Sequence, residues 1–278
     1  MTTFRLSAFA DEAAKGFADQ LAALRRHGID MIEVRGVDGR NVSALTDDEA
    51  RTARRMMDDA GVSLSALGSP YGKYPIDQPF ASHMDDFRRG LALTHMLGGD
   101  KIRMFSFFMP AGDDPANWRS KVIDRLGQML EAARAEGITL CHENEKGIYG
   151  DTCARCMDIL TALPDLGCVF DPANFIQCGE AVLPAFDALA PHLTYMHIKD
   201  ALAESGAVVP AGMGDAQFPQ LIDRLNSMNR PMVMTLEPHL TVFDGLRDLQ
   251  DEALVNRYTY PDSAAAFAAA VEALRALL

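Results

Sequence analysis

The chain has 278 residues, 48% of them hydrophobic, which supports a large core and argues against disorder. Its 26 Lys and Arg stand against 39 Asp and Glu, a formal charge of −13, which disfavours nucleic acid or an anionic membrane as partner. No apolar run approaches the roughly 18 residues of a membrane span, and no apolar stretch precedes Ala8-Phe9-Ala10, so no signal peptide is expected and the expected compartment is the cytoplasm.

Short apolar, β-branched runs alternate with longer segments of helical period from end to end. The expected strands are 4–9, 29–34, 62–67, 101–105, 138–143, 167–171, 193–198 and 232–237. Between them the helical segments begin with DQLAALRRHG and TDDEARTARRMMDDAG and continue through HMDDFRRGLALTHMLGG, WRSKVIDRLGQMLEAARAEG, CARCMDILTALP, VLPAFDALAP and FPQLIDRLNSMN. PDSAAAFAAAVEALRALL closes the chain. Gly28, Gly61 and Gly137 sit where left-handed helix stops are expected, and Thr46 with Glu49 reads as a capping box.

Eight βα units at about 35 residues each are the repeat of a closed (β/α)8 TIM barrel, expected here as a single α/β domain over 1–278. A dinucleotide fold would need a glycine-rich turn after the first strand, but that turn reads Ala8-Phe9-Ala10-Asp11-Glu12. The five cysteines do not make a disulfide framework. Cys153 and Cys156 have CxxC spacing on a helical segment, and buried thiols are the expected reading.

Barrel active sites form at the C-terminal ends of the strands. Four ligand-type residues stand there: Glu143 in LCHEN, Asp171 in FDPAN, His197 in YMHIKD and Glu237 in TLEPH, closing strands five to eight. Strand alternation turns Cys141 inward with Glu143, Val169 with Asp171, Tyr195 and Lys199 with His197, and Val233 and Thr235 with Glu237. Three carboxylates at one mouth repel one another unless a cation neutralises them. One divalent ion held by Glu143, Asp171, His197 and Glu237 meets that need, and the oxygen and nitrogen donors suit Mn, Mg, Co or Zn. Taken singly, Asp171 before Pro172 also reads as a helix cap. Arg103 points inward and is expected to pair with Glu33 or to meet a substrate. His83 and His95 fall inside a helix and His27 at a helix end, where solvated or capping roles are expected.

With its IEVRGVDGRNV, SPYGKYPI, IRMFSFFMP, HENEKGIYGD, FDPANFIQCGE, YMHIKDA, PAGMGD and LEPHL segments, essentially the whole chain resembles the sugar isomerase/epimerase family with a xylose-isomerase-like barrel. That family includes D-tagatose and D-psicose 3-epimerases, hydroxypyruvate isomerase, inosose dehydratase and, more distantly, endonuclease IV. The resemblance implies a single divalent metal, manganese first, on the four residues already chosen. It also implies that Glu143 and Glu237 exchange a proton beside the carbonyl of a small sugar substrate, through an enediolate whose charge the ion offsets. Lys199, Glu145, Asn174, Arg103 and His239 are the expected substrate contacts, with Asn174 standing where the epimerases commonly carry His. The extra His and Asp ligands of the endonuclease branch are missing, pairing into a homo-oligomer is expected, and an inosose-type dehydratase or a non-catalytic sugar-binding barrel is the alternative.

Overall fold

The structure is a computed structural model that describes residues 2–241 and 258–278. Eight strands carry the architecture: β1 Phe4–Ala8, β2 Met31–Val34, β3 Ser63–Gly68, β4 Lys101–Met104, β5 Thr139–Glu143, β6 Gly167–Phe170, β7 Leu193–Ile198 and β8 Met232–Leu236. All neighbours pair in parallel, in the order β1-β8-β7-β6-β5-β4-β3-β2, a nearly closed barrel whose seam lies between the adjacent β1 and β2. Each expected strand is present, none with an end moved by more than two residues, and 193–198 unchanged.

Helices follow the strands: α1 Phe17–Arg26, α2 Asp47–Ala60, α3 Ala81–Met96, α4 Arg119–Ala135, α5 Cys153–Ala162, α6 Pro172–Gln177, α7 Val182–Leu189, α8 Phe218–Ser227 and α9 Ser263–Leu277. Thr46 and Glu49 form the reciprocal capping box at the start of α2, and Gly61 ends that helix with φ +66°. Only a residue without Cβ takes that conformation at little cost.

The two faces of the strands separate as a period of two dictates. Phe170, Met196, Ile198 and Leu236 join the main core against the helices, whereas Ala66, Cys141, Val169 and Tyr195 form a small core inside the barrel with Val233 packed on it. Inward residues at the ends of β5 to β8 therefore all emerge at one mouth. Cys153 and Cys156 are free, and the buried Cys156 thiol donates to the Gly150 carbonyl at 3.2 Å.

The structure corrects one expectation. His83 is neither solvated nor a cap: it is buried, stacks on Tyr74, and its Nε2 accepts from the Gly72 amide at 3.1 Å. Burial, with Arg125 adding to it against the opposing pull of Asp86, lowers its pKa to about 4. Helical periodicity did not show that the loop after β3 folds back over this face of α3.

Candidate metal centre

Glu143 ends β5, His197 is the penultimate residue of β7, and Asp171 and Glu237 directly follow β6 and β8. One donor atom from each of Glu143, Asp171, His197 and Glu237 lies within 4.8 Å of the other three, and all four residues are buried. His197 Nδ1 is 3.0 Å from both Glu143 Oε1 and Glu237 Oε2. Asp171 caps α6, as its place before Pro172 suggests: Oδ1 accepts from the Asn174 amide at 2.9 Å, while Oδ2 faces Lys199.

The donor set fits a divalent cation. Asp171 Oδ2 and Glu237 Oε2 are buried without a hydrogen bond of acceptable geometry, although Lys199 Nζ lies 2.9 Å from the first and His197 Nδ1 3.0 Å from the second. Lys199 and His197 are thus the groups that neutralise these oxygens here, and a divalent cation would take their place at the same donors. Asp11, Glu12, Glu33, Glu143, Glu145, Asp171 and Glu237 are linked through ion pairs to only four permanent cations among the described residues, Arg35, Lys73, Arg103 and Lys199.

Titration follows this crowding. Burial, only partly offset by Lys199, raises the Asp171 pKa to about 7. Glu237 goes the other way: burial opposes its charge, but Lys199 and His197 hold it well below the ordinary carboxylate range. The same contest at His197 ends high, because Glu143, Glu33 and Glu237 overcome burial and raise it well above the ordinary histidine value.

The substrate candidates divide. Lys199 faces Asp171 directly, and Arg103 Nε lies 3.2 Å from Glu143 Oε2 and 3.7 Å from Glu33 Oε1, so the expected pairing with Glu33 is present but the nearer partner is Glu143. Glu145 accepts from Lys73 at 3.0 Å, which ties the loop after β3 to the loop after β5, and Lys73 also sits over the Phe105 ring. Asn174 Nδ2 donates to the Asn144 carbonyl at 2.9 Å and lies 3.4 Å from Glu143 Oε1, which leaves its Oδ1 buried without a partner. His239 has φ +47°, its amide donates to Glu12 Oε2 at 2.7 Å, and its Nε2 lies 3.4 Å from Glu237 Oε1.

Sequence reasoning missed Asp11, Glu12 and Arg35, which follow the first two strands. The Arg35 guanidinium donates to both oxygens of Asp11 at 2.9 and 3.0 Å, to Glu12 at 3.1 Å and to Glu237 Oε1 at 3.0 Å. It packs over Phe9, as Arg103 does more distantly. Glu12, Glu237 and His239 also offer clustered donor atoms, but Arg35 already supplies a cation to both glutamates there. The signal was readable: Arg35 is two residues beyond the inward Glu33, and Asp11-Glu12 follow the end of β1 as Glu143 and Glu237 mark the ends of β5 and β8.

A family model for the xylose isomerase-like TIM barrel matches residues 21–276, and the chain belongs to that family. Its relative YihM of Escherichia coli K12, an uncharacterized protein, is 25% identical over 204 residues, covering 70% of this chain and 59% of that protein. Among solved structures, a D-allulose 3-epimerase from a Methylomonas species superposes with a TM-score of 0.78 at 15% identity, covering 100% of this chain and 99% of its own. The probable 3-DHS dehydratase AsbF of Bacillus anthracis superposes at 0.70 with 16% identity, covering 85% of this chain and 92% of its own. At such identities these likenesses speak for the fold.

Proposed function

We propose that the protein is a sugar isomerase or epimerase that depends on one divalent metal held by Glu143, Asp171, His197 and Glu237. The observation that carries this reading is the convergence of those four buried donors, one atom from each within 4.8 Å of the others. When bound, the ion, Mn2+ first and otherwise Mg2+, Co2+ or Zn2+, supplies Lewis-acid polarisation of a substrate carbonyl.

Glu143 and Glu237 each bring one oxygen 3.0 Å from His197 Nδ1 and turn the second toward an arginine, Arg103 and Arg35 respectively. This fixes both carboxylates while leaving one oxygen of each aimed at the shared space. One glutamate accepts the proton from the carbon beside the carbonyl. The other, which enters the step protonated, gives its proton to the opposite face for epimerisation; for isomerisation the first glutamate returns its proton to the adjacent carbon while the hydroxyl proton moves between the two oxygens. Negative charge that develops on the substrate meets the buried cations of Arg103, Arg35 and Lys199. In this reading Asn174 Oδ1, Lys199, Glu145 and His239 bind substrate hydroxyls.

Incubating the manganese-loaded chain with a panel of ketoses, ketose phosphates and inososes in deuterated water tests this reading. Solvent deuterium should enter the carbon beside the carbonyl, and Glu143→Gln and Glu237→Gln should each abolish incorporation. Either variant exchanging at the wild-type rate removes the two-glutamate mechanism. A dehydrated product would move the assignment to a dehydratase, and no exchange across the panel would favour a non-catalytic sugar-binding barrel.

A further inference from the structure

Glu33 is fully buried inside the barrel, yet it is not among the four clustered donors and the proposed proton transfers give it no task. β2 places it there deliberately in the structural sense: the pairing with β3 shifts register between Ile32 and Glu33, setting Glu33 opposite the small Ala66. A Cβ at Gly68, further along β3, would stand 3.3 Å from Glu33 Cγ, so the strand end stays bare where this side chain passes.

Its two oxygens have different partners. Oε1 accepts from the Tyr195 hydroxyl at 2.8 Å, and Oε2 lies 3.2 Å from His197 Nε2. The other ring nitrogen of His197, Nδ1, is the one that faces Glu143 and Glu237. Phe9 and Tyr195 meet the imidazole edge-on at 5.2 and 5.6 Å and limit its rotation. With a cation bound the imidazole is neutral, with one N–H and one lone pair, and an ionised carboxylate can only accept. A proton on Nε2 satisfies Glu33 and leaves the lone pair on Nδ1, pointed at the cluster. The opposite tautomer would set a lone pair against a carboxylate and an N–H against the ion.

We propose that Glu33 is a positioning residue that holds His197 as the Nε2–H tautomer and so presents Nδ1 to the cation, with Tyr195 orienting Glu33 in turn. A carboxylate behind a ligating histidine fixes ring and tautomer together, and losing it typically weakens metal binding about 10- to 100-fold. The proposal rests on the four-residue metal reading above.

Zinc is the probe, because it is diamagnetic and its binding can be titrated directly. The full chain, stripped of metal, is titrated with Zn2+ by calorimetry as wild type, Glu33→Gln, Glu33→Asp and Tyr195→Phe, and the zinc-loaded proteins, labelled with 15N-histidine, are compared by long-range 15N NMR. Wild type should bind one Zn2+ with His197 protonated at Nε2. Glu33→Gln should bind about 10- to 100-fold more weakly, Glu33→Asp should recover part of the loss, and Tyr195→Phe should weaken binding by less than Glu33→Gln. Should Glu33→Gln not fold, Tyr195→Phe with wild-type zinc affinity would overturn the proposal. Equal zinc affinity in Glu33→Gln, or a wild-type His197 protonated at Nδ1 in the zinc complex, would also overturn it while leaving the metal centre standing. A wild-type chain that takes up no Zn2+ would instead remove the metal reading itself, and this proposal with it.

Discussion

Acidification should unlock the loop after β3 through His83. In the folded chain its imidazole is buried against Tyr74 and Phe107, accepts from the Gly72 amide, and titrates near 4 rather than at the ordinary 6.5. Between those values the unfolded chain binds a proton that the folded chain refuses, so the stability held above pH 6.5 is lost progressively as pH falls toward 4. At about 1.4 kcal/mol per pH unit, the interval from 6.5 to about 4 corresponds to at most about 3 kcal/mol. Protonated Nε2 also cannot accept from Gly72, the residue before Lys73, whose ammonium holds Glu145 at the mouth. His83→Gln keeps an acceptor and removes the titration. Urea unfolding from pH 8 to pH 4 should show the wild type losing about 3 kcal/mol relative to the variant across that window. Parallel stability profiles would refute the reasoning.

Two further substitutions probe the framework of the mouth. Gly68→Ala would put a Cβ 2.5 Å from Phe9 Cε1 and 3.3 Å from Glu33 Cγ, and should cost about 1–3 kcal/mol in urea unfolding while weakening Mn2+ binding; unchanged stability and affinity would show that the strand end has slack. Asp200 accepts from the amides of Ala201, Gly212, Gly214 and Ala216 and thereby staples the 211–216 loop. Asp200→Asn replaces one acceptor oxygen by a donor facing amides, so it should lower stability by roughly 3 kcal/mol, and an unshifted urea midpoint would contradict the staple.

The barrel was legible because its two signals are local. Alternation with a period of two told which residues of 139–143 and 193–198 turn inward, and helix stops such as Gly61 marked where each unit ends. The four donors followed, since strand ends in a closed barrel must meet. What stayed hidden depends on closure across the seam: Arg35 on one side and Glu237 on the other are 202 residues apart, and no local pattern pairs them. His83 was misjudged for a related reason, because a histidine on a helix takes its environment from the loop that covers it. Arg103 shows the intermediate case. Parity turned it inward correctly, but its nearer carboxylate, Glu143 at 3.2 Å rather than Glu33 at 3.7 Å, is a matter of distances that sequence does not carry.

The central claim is that Glu143, Asp171, His197 and Glu237 grip one divalent ion at the barrel mouth. Crystals grown with Mn2+ and measured on both sides of the manganese absorption edge test it most directly. The account predicts one anomalous peak in contact with His197 Nδ1 and a carboxylate oxygen from each of the three acids. A peak among Glu12, Glu237 and His239 instead, or Lys199 filling a metal-free cluster while manganese binds elsewhere, would contradict it.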